Sequence, residues 1–177
     1  MNDGFARSTM PATLVAAALA YVSGAAAQPA PPVVLVDSTG KVAARALTET
    51  HVVVTDPVSR VVAPAAIRPI QGDDGRTASG LAEWQSGGSV LYTSSDCSTG
   101  AYIYSNSNAG YRAATQVETP SGIVLVVGAY GFTSTVTVRS ILYDNGCTSV
   151  SIRQNGLVPV DATVNLTTAY PPPLSFR

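Results

Sequence analysis

The chain has 177 residues, with ten Lys and Arg against eleven Asp and Glu and a formal net charge of −1. Lys41 is the only lysine; without clustered cations to neutralise phosphates, nucleic acid is excluded as an expected partner. No acidic tract or polybasic run marks a charged partner or a membrane surface.

Residues 1–27 read as a signal peptide, expected as a helix. Arg7 gives a weakly positive start, "PATLVAAALAYVSG" a short apolar core, and "AAA" ending at Ala27 the small residues that precede cleavage. The alanine-rich run 12–27 is shorter than the roughly 20 strongly apolar residues needed to cross a bilayer. The segment is therefore read as cleaved, leaving no transmembrane span and placing the protein outside the cytoplasm, secreted or periplasmic. Asp3 is unusual so near the start, which leaves Met10 as an alternative first residue. Residues 28–32, "QPAPP", form a proline-rich lead, 33–170 a single β domain, and 171–177 a proline-rich tail. A chain of about 150 residues buries about 68–70% of its unfolded surface, enough for one core.

After the lead, the apolar pattern has period two. "VVLVDSTGKVAARAL" predicts two strands joined at "DSTGK", with Gly40 supplying a positive φ, and "HVVVTDPVSRVVAP" repeats the form around "DP". "IQGDDGRTASG" reads as a loop, and "GLAEW", "SVLYT" and "AYIYS" as short strands. In "YRAATQVE", Tyr111, Ala113, Thr115 and Val117 fall on one face and Arg112, Gln116 and Glu118 on the other. "GIVLVVGAYGF" is apolar on both faces and is expected centrally. In "TSTVTVRSILYD" the apolar parity changes after Val138, which predicts a bulge near Arg139 and Ser140. "VPVDATVNL" points Val158, Val160, Ala162, Val164 and Leu166 inward; Pro159 on the other face implies an edge or a strand start. "YPPPLSFR" closes as polyproline. The expected fold is all-β, a single antiparallel β-sandwich or barrel-like meander.

Two cysteines in an exported chain allow one pairing, so Cys97 and Cys147 are expected to form a disulfide. A nucleophilic or metal-bound thiolate is the alternative. It needs a nearby cation, base or metal, whereas Asp96 and Asp144 flank these cysteines and no CxxC spacing or histidine cluster exists. His51, the only histidine, could serve a Ser-His-Asp triad, yet no GxSxG elbow accompanies it. Asp73 and Asp74 lack the spaced acids and terminal glutamate of a calcium loop, and no motif selects a glycosidase carboxylate pair. No catalytic residue, metal or cofactor is therefore assigned. Tyr102 and Tyr104 share a strand face and, with Trp84 or Tyr92, could form a platform for a sugar or a partner protein. "NLT" at Asn165 matches a glycosylation sequon.

"VDSTGKV" and "LYTSSDCSTGAYI" together resemble exported bacterial β-rich proteins of unknown function that pair a D-x-x-G-K-V hairpin with an S-x-D-C box. The resemblance covers about twenty residues and implies no activity. The expected function is a disulfide-stapled structural or binding domain at the cell envelope or surface, held to an unknown protein or glycan partner, with no catalysis. The alternatives are a small secreted hydrolase using His51 and a fibre or pilus-type subunit, although "PPP" beside Phe176 departs from a donated C-terminal strand.

Overall fold

The computed structural model describes residues 32–56, 58–105, 110–144 and 146–177; the signal segment and residues 28–31 of the lead lie outside the described residues. The described chain is all-β and antiparallel, divided into a closed six-stranded barrel and a second six-stranded sheet. Its one α-helix is a single turn, α1 (Leu166–Ala169).

The two valine-rich hairpins build most of the barrel. β1 (Val34–Val36) pairs with β2 (Val42–Ala46), and β3 (His51–Thr55) with β4 (Val62–Gln71). The first turn is held by Asp37, whose Oδ1 accepts from Thr39 N at 2.9 Å, Thr39 Oγ1 at 2.7 Å and Lys41 N at 2.9 Å, while Gly40 takes φ +88°. Burial opposes ionisation of Asp37, but these hydrogen bonds prevail and hold its carboxyl below the ordinary carboxylate value. Asp56 does the same work in the next turn, accepting from Ser59 N and Oγ, with the same downward result.

Two expectations change at β5 (Thr77–Trp84) and β12 (Leu174–Phe176). The segment read as a loop shortens to a turn at residues 72–76, because Gln71 pairs with Thr77. The segment read as a polyproline tail instead ends in β12, which pairs with β1 on one edge and β5 on the other and closes the barrel. Proline lacks the donor for a ladder; Leu174 to Phe176, just beyond the three prolines, do not. A C-terminal strand paired on both edges within its own chain is not free to be donated to another.

Six strands enclose little space, and the interior is composed accordingly. Ala44, Ala63, Ala65 and Ala82 alternate with Leu35, Val52, Val54, Ile67 and Leu174, all at most 4% exposed. One end is filled by Trp84 and Tyr170, with ring centroids 6.5 Å apart. Trp84 Nε1 donates to Tyr170 O at 3.0 Å, Tyr170 Oη to Thr55 O at 3.1 Å, and Lys41 Nζ lies 4.4 Å from the Tyr170 ring centroid. Burial pushes the Tyr170 phenol up, and Asp56 and Asp37 push the same way.

The second sheet runs β10 (Ser134–Tyr143), β6 (Val90–Tyr92), β7 (Ala101–Tyr104), β11 (Gly146–Asn165), β9 (Gly122–Gly128), β8 (Ala114–Thr119), and β10 also pairs with β11. Expected centrally, β9 is an interior strand, between β11 and the edge strand β8, and buries both of its apolar faces. Leu125 and Val127 enter the barrel's hydrophobic cluster with Ile123 against it, while Val126 joins a second cluster with Val124 against that one. The expected bulge is present, with the β10–β11 register shifting between Val138 and Ser140.

Pro159 is neither at an edge nor at a strand start. It lies inside the 20-residue β11, opposite Tyr102 of β7. The strand changes partner just beyond it, from β7 to β9 at Val160, so the missing N–H falls where one ladder ends and the next begins.

Gln116 also departs from the alternation. Placed on the solvent face by its spacing, it is 6% exposed and clasps β4: Ala66 N donates to its Oε1, and its Nε2 donates to Ala66 O at 3.1 Å. The side-chain amide thus acts as a short piece of strand backbone joining sheet to barrel, where an unpaired buried group costs about 1–3 kcal/mol.

Candidate functional site

Cys97 and Cys147 are bonded, with Cα atoms 6.0 Å apart. Cys97 lies in the β6–β7 loop and Cys147 at the start of β11. Ser140 places the loop: fully buried, it accepts from Cys97 N at 3.0 Å and donates to Ser94 O at 2.6 Å. The bulge before it is what aims Ser140 at the loop, a role its sequence context did not announce. Asp96 and Ser94 bond to Ser98, which holds the Asp96 carboxyl below its ordinary value. Gly100, at φ +69°, approaches so closely that a Cβ would lie 1.9 Å from Thr93 Oγ1. The stretches "VDSTGKV" and "LYTSSDCSTGAYI" thus each centre on a turn.

The four aromatic residues do not assemble into a platform. Trp84 is a core residue of the barrel, 4% exposed. Tyr92 packs on one cluster of the second sheet and Tyr102 on another, and burial pushes the Tyr92 phenol up. Only Tyr104 is broadly exposed, at 50%. The spacing correctly paired Tyr102 with Tyr104, but it could not show that Trp84 belongs to the other sheet.

His51 is exposed at the start of β3, its Nδ1 3.0 Å from Thr50 Oγ1. It borders a cavity of about 450 Å³ with Ser86, Thr115 and Gln116, and no carboxylate lines that cavity. Asp74 accepts from Arg76 N at 3.0 Å and pairs with the Arg76 guanidinium at 3.6 Å, completing the β4–β5 turn. Asn165 caps α1 by accepting from Thr168 N at 2.9 Å, and its Nδ2 donates to Ser121 O at 3.0 Å. Its amide nitrogen is engaged within the chain.

A concavity at the open end of the barrel was not legible as a motif. At the end of the barrel away from Tyr170, the inward rows run out into the open: Val33 follows Leu35, Ala46 follows Ala44, and Phe176 follows Leu174. The β4–β5 register passes directly from Pro69↔Ala82 to Gln71↔Thr77, so β5 carries excess residues and bows outward. Gly80, at φ +72° within this bow, takes the left-handed conformation the path requires. The result is a cavity of about 550 Å³, lined by Val33, Leu47, Pro69, Leu81 and Phe176 with Thr48, Glu49, Thr77 and Ser79 among its polar members. Ligand sites are commonly apolar concavities of about 300–1,000 Å³ with few polar groups, and barrel mouths are a usual place for them.

No protein-family model matches the chain, and no curated protein or solved structure does either.

Proposed function

We propose that the chain is an exported, disulfide-stapled β domain of the cell envelope that works by binding, taking a small apolar ligand into the open barrel mouth, and performs no catalysis. The observation that carries this reading is the asymmetry of the barrel. One end is filled by Trp84 and Tyr170, whereas the bowed β5 leaves apolar core positions uncovered at the other. A glycan is the poorer ligand, because sugar stacking needs aromatic faces on a common surface, whereas Trp84, Tyr92 and Tyr102 are divided between separate cores and leave Tyr104 as the one broadly exposed ring of the four. The signal-like segment and the disulfide support a location in an oxidising compartment. Among the described residues, no helix is long and apolar enough to cross a membrane.

Titration with the neutral apolar fluorophore N-phenyl-1-naphthylamine tests the mouth. Wild-type protein is expected to bind it saturably. Val33, half exposed at the rim, can be replaced without emptying the core, and Val33→Glu is expected to weaken binding about tenfold or more, because the apolar fluorophore would have to cover and desolvate the carboxylate. Unsaturable binding, or equal binding by a normally folded Val33→Glu variant, would remove the mouth as the site.

A further inference from the structure

The second sheet presents a different surface at its β9–β10 loop. Phe132 is 99% exposed and Tyr130 80% exposed, on either side of Gly131 at φ +138°. A phenylalanine at that exposure protrudes and packs on nothing of its own chain, which is uncommon for so large an apolar group. Tyr130 is supported from below. The Arg112 guanidinium carbon lies 5.0 Å from its ring centroid, and Arg112 Nε donates to Gly128 O at 2.8 Å while its head pairs with Asp161. The tip is therefore a built projection on an anchored base.

Charge distribution identifies what would cover it. No Asp, Glu, Lys, Arg or His occurs between Glu118 and Arg139, so the loop and the strand ends beside it are free of charge. The nearest cation, Arg112, is neutralised by Asp161. Behind the tip, the β10–β11 ribbon carries exposed Arg139 and Arg153. Arg153 pairs with Thr137, and Arg139 lies at the register shift between Val138 and Ser140. Of the acids in these two strands and their turn, Asp161 is paired with Arg112 and Asp144 lies in the turn at the far end. An uncharged aromatic tip backed by two cations matches the boundary of an anionic bilayer, where apolar rings enter the headgroup layer and arginines stay at the phosphates.

We propose that Tyr130 and Phe132 form a lipid-contacting wedge, inserting at the surface of an anionic membrane with Arg139 and Arg153 against the headgroups. Binding of this kind is peripheral and reversible, because two rings bury little area compared with a spanning segment.

Cosedimentation of the exported protein with phosphatidylcholine vesicles, with and without phosphatidylglycerol, tests it. Wild-type protein is expected to sediment with the phosphatidylglycerol vesicles. Tyr130→Ser combined with Phe132→Ser should lower partitioning about tenfold or more without changing the melting temperature, since both side chains are exposed. Phe132→Trp should retain binding and shift its emission to the blue on contact with vesicles, over the constant signal of the buried Trp84. Failure of wild-type protein to sediment, or equal sedimentation of the double serine variant, would overturn the proposal. Equal binding to vesicles lacking phosphatidylglycerol would overturn the part assigned to Arg139 and Arg153. None of these outcomes depends on the barrel mouth, whose fluorophore binding the serine variant should retain.

Discussion

Replacing Cys97 and Cys147 together by alanine is expected to lower stability by about 4 kcal/mol, the chain-entropy value for a closed loop of this length. The bond spans 50 positions and ties the β6–β7 loop to the start of β11. Without it, that loop is held by the Ser140 bonds to Cys97 N and Ser94 O, two hydrogen bonds worth about 0.5–1.5 kcal/mol each. For a domain of this size the loss corresponds to a fall of about 8–16 °C in melting temperature. Calorimetry of the double variant beside the oxidised and reduced wild-type protein measures it. Reduced wild type and the double variant should melt together, well below the oxidised form; coincidence of all three transitions would mean that the bridge constrains nothing.

The filled end of the barrel carries the second large effect. Trp84→Ala or Tyr170→Ala should each cost about 3–5 kcal/mol, the range for emptying a large aromatic site in a core. Both side chains are at most 4% exposed, and Trp84 also donates to Tyr170 O. A typical domain has about 5–15 kcal/mol in total, so either change brings the barrel near its limit. Because the two rings pack together, the double variant should cost less than the sum of the singles, with a coupling of about 0.5–3 kcal/mol. Tyr170→Phe keeps the ring and loses only the bond to Thr55 O, so about 1 kcal/mol is expected. Urea denaturation of the set gives these values. A loss below about 0.5 kcal/mol for Trp84→Ala is what a surface residue would show, and it would return Trp84 to the outside of the fold.

Much of the architecture was legible because strands report themselves through alternation and turns through chemistry. Asp37 and Gly40 fixed the first hairpin, the parity change at Val138 located the bulge, and the two apolar faces of residues 122–128 marked β9 as an interior strand. The errors share a cause: they turn on which elements meet, which local pattern does not encode. Trp84 reads like any strand aromatic until β5 closes the barrel around it. The stretch "PPP" reads as a terminus until Leu174 to Phe176 fill the gap between β1 and β5. Gln116 is polar and in phase with the solvent face, and only the approach of Ala66 makes its burial useful. The barrel mouth depends on excess residues in β5 relative to β4, a quantity that exists only once the two are paired. Tyr130 and Phe132 were visible as letters, but their exposure follows from the loop that carries them.

Peptide mapping of the protein isolated from its native cells and their medium, by mass spectrometry without reduction, tests the account most directly. A mature chain beginning at Gln28, with one linked fragment pair containing Cys97 and Cys147, is the result expected. Two free thiols, or a chain that still carries residues 1–27, would contradict it.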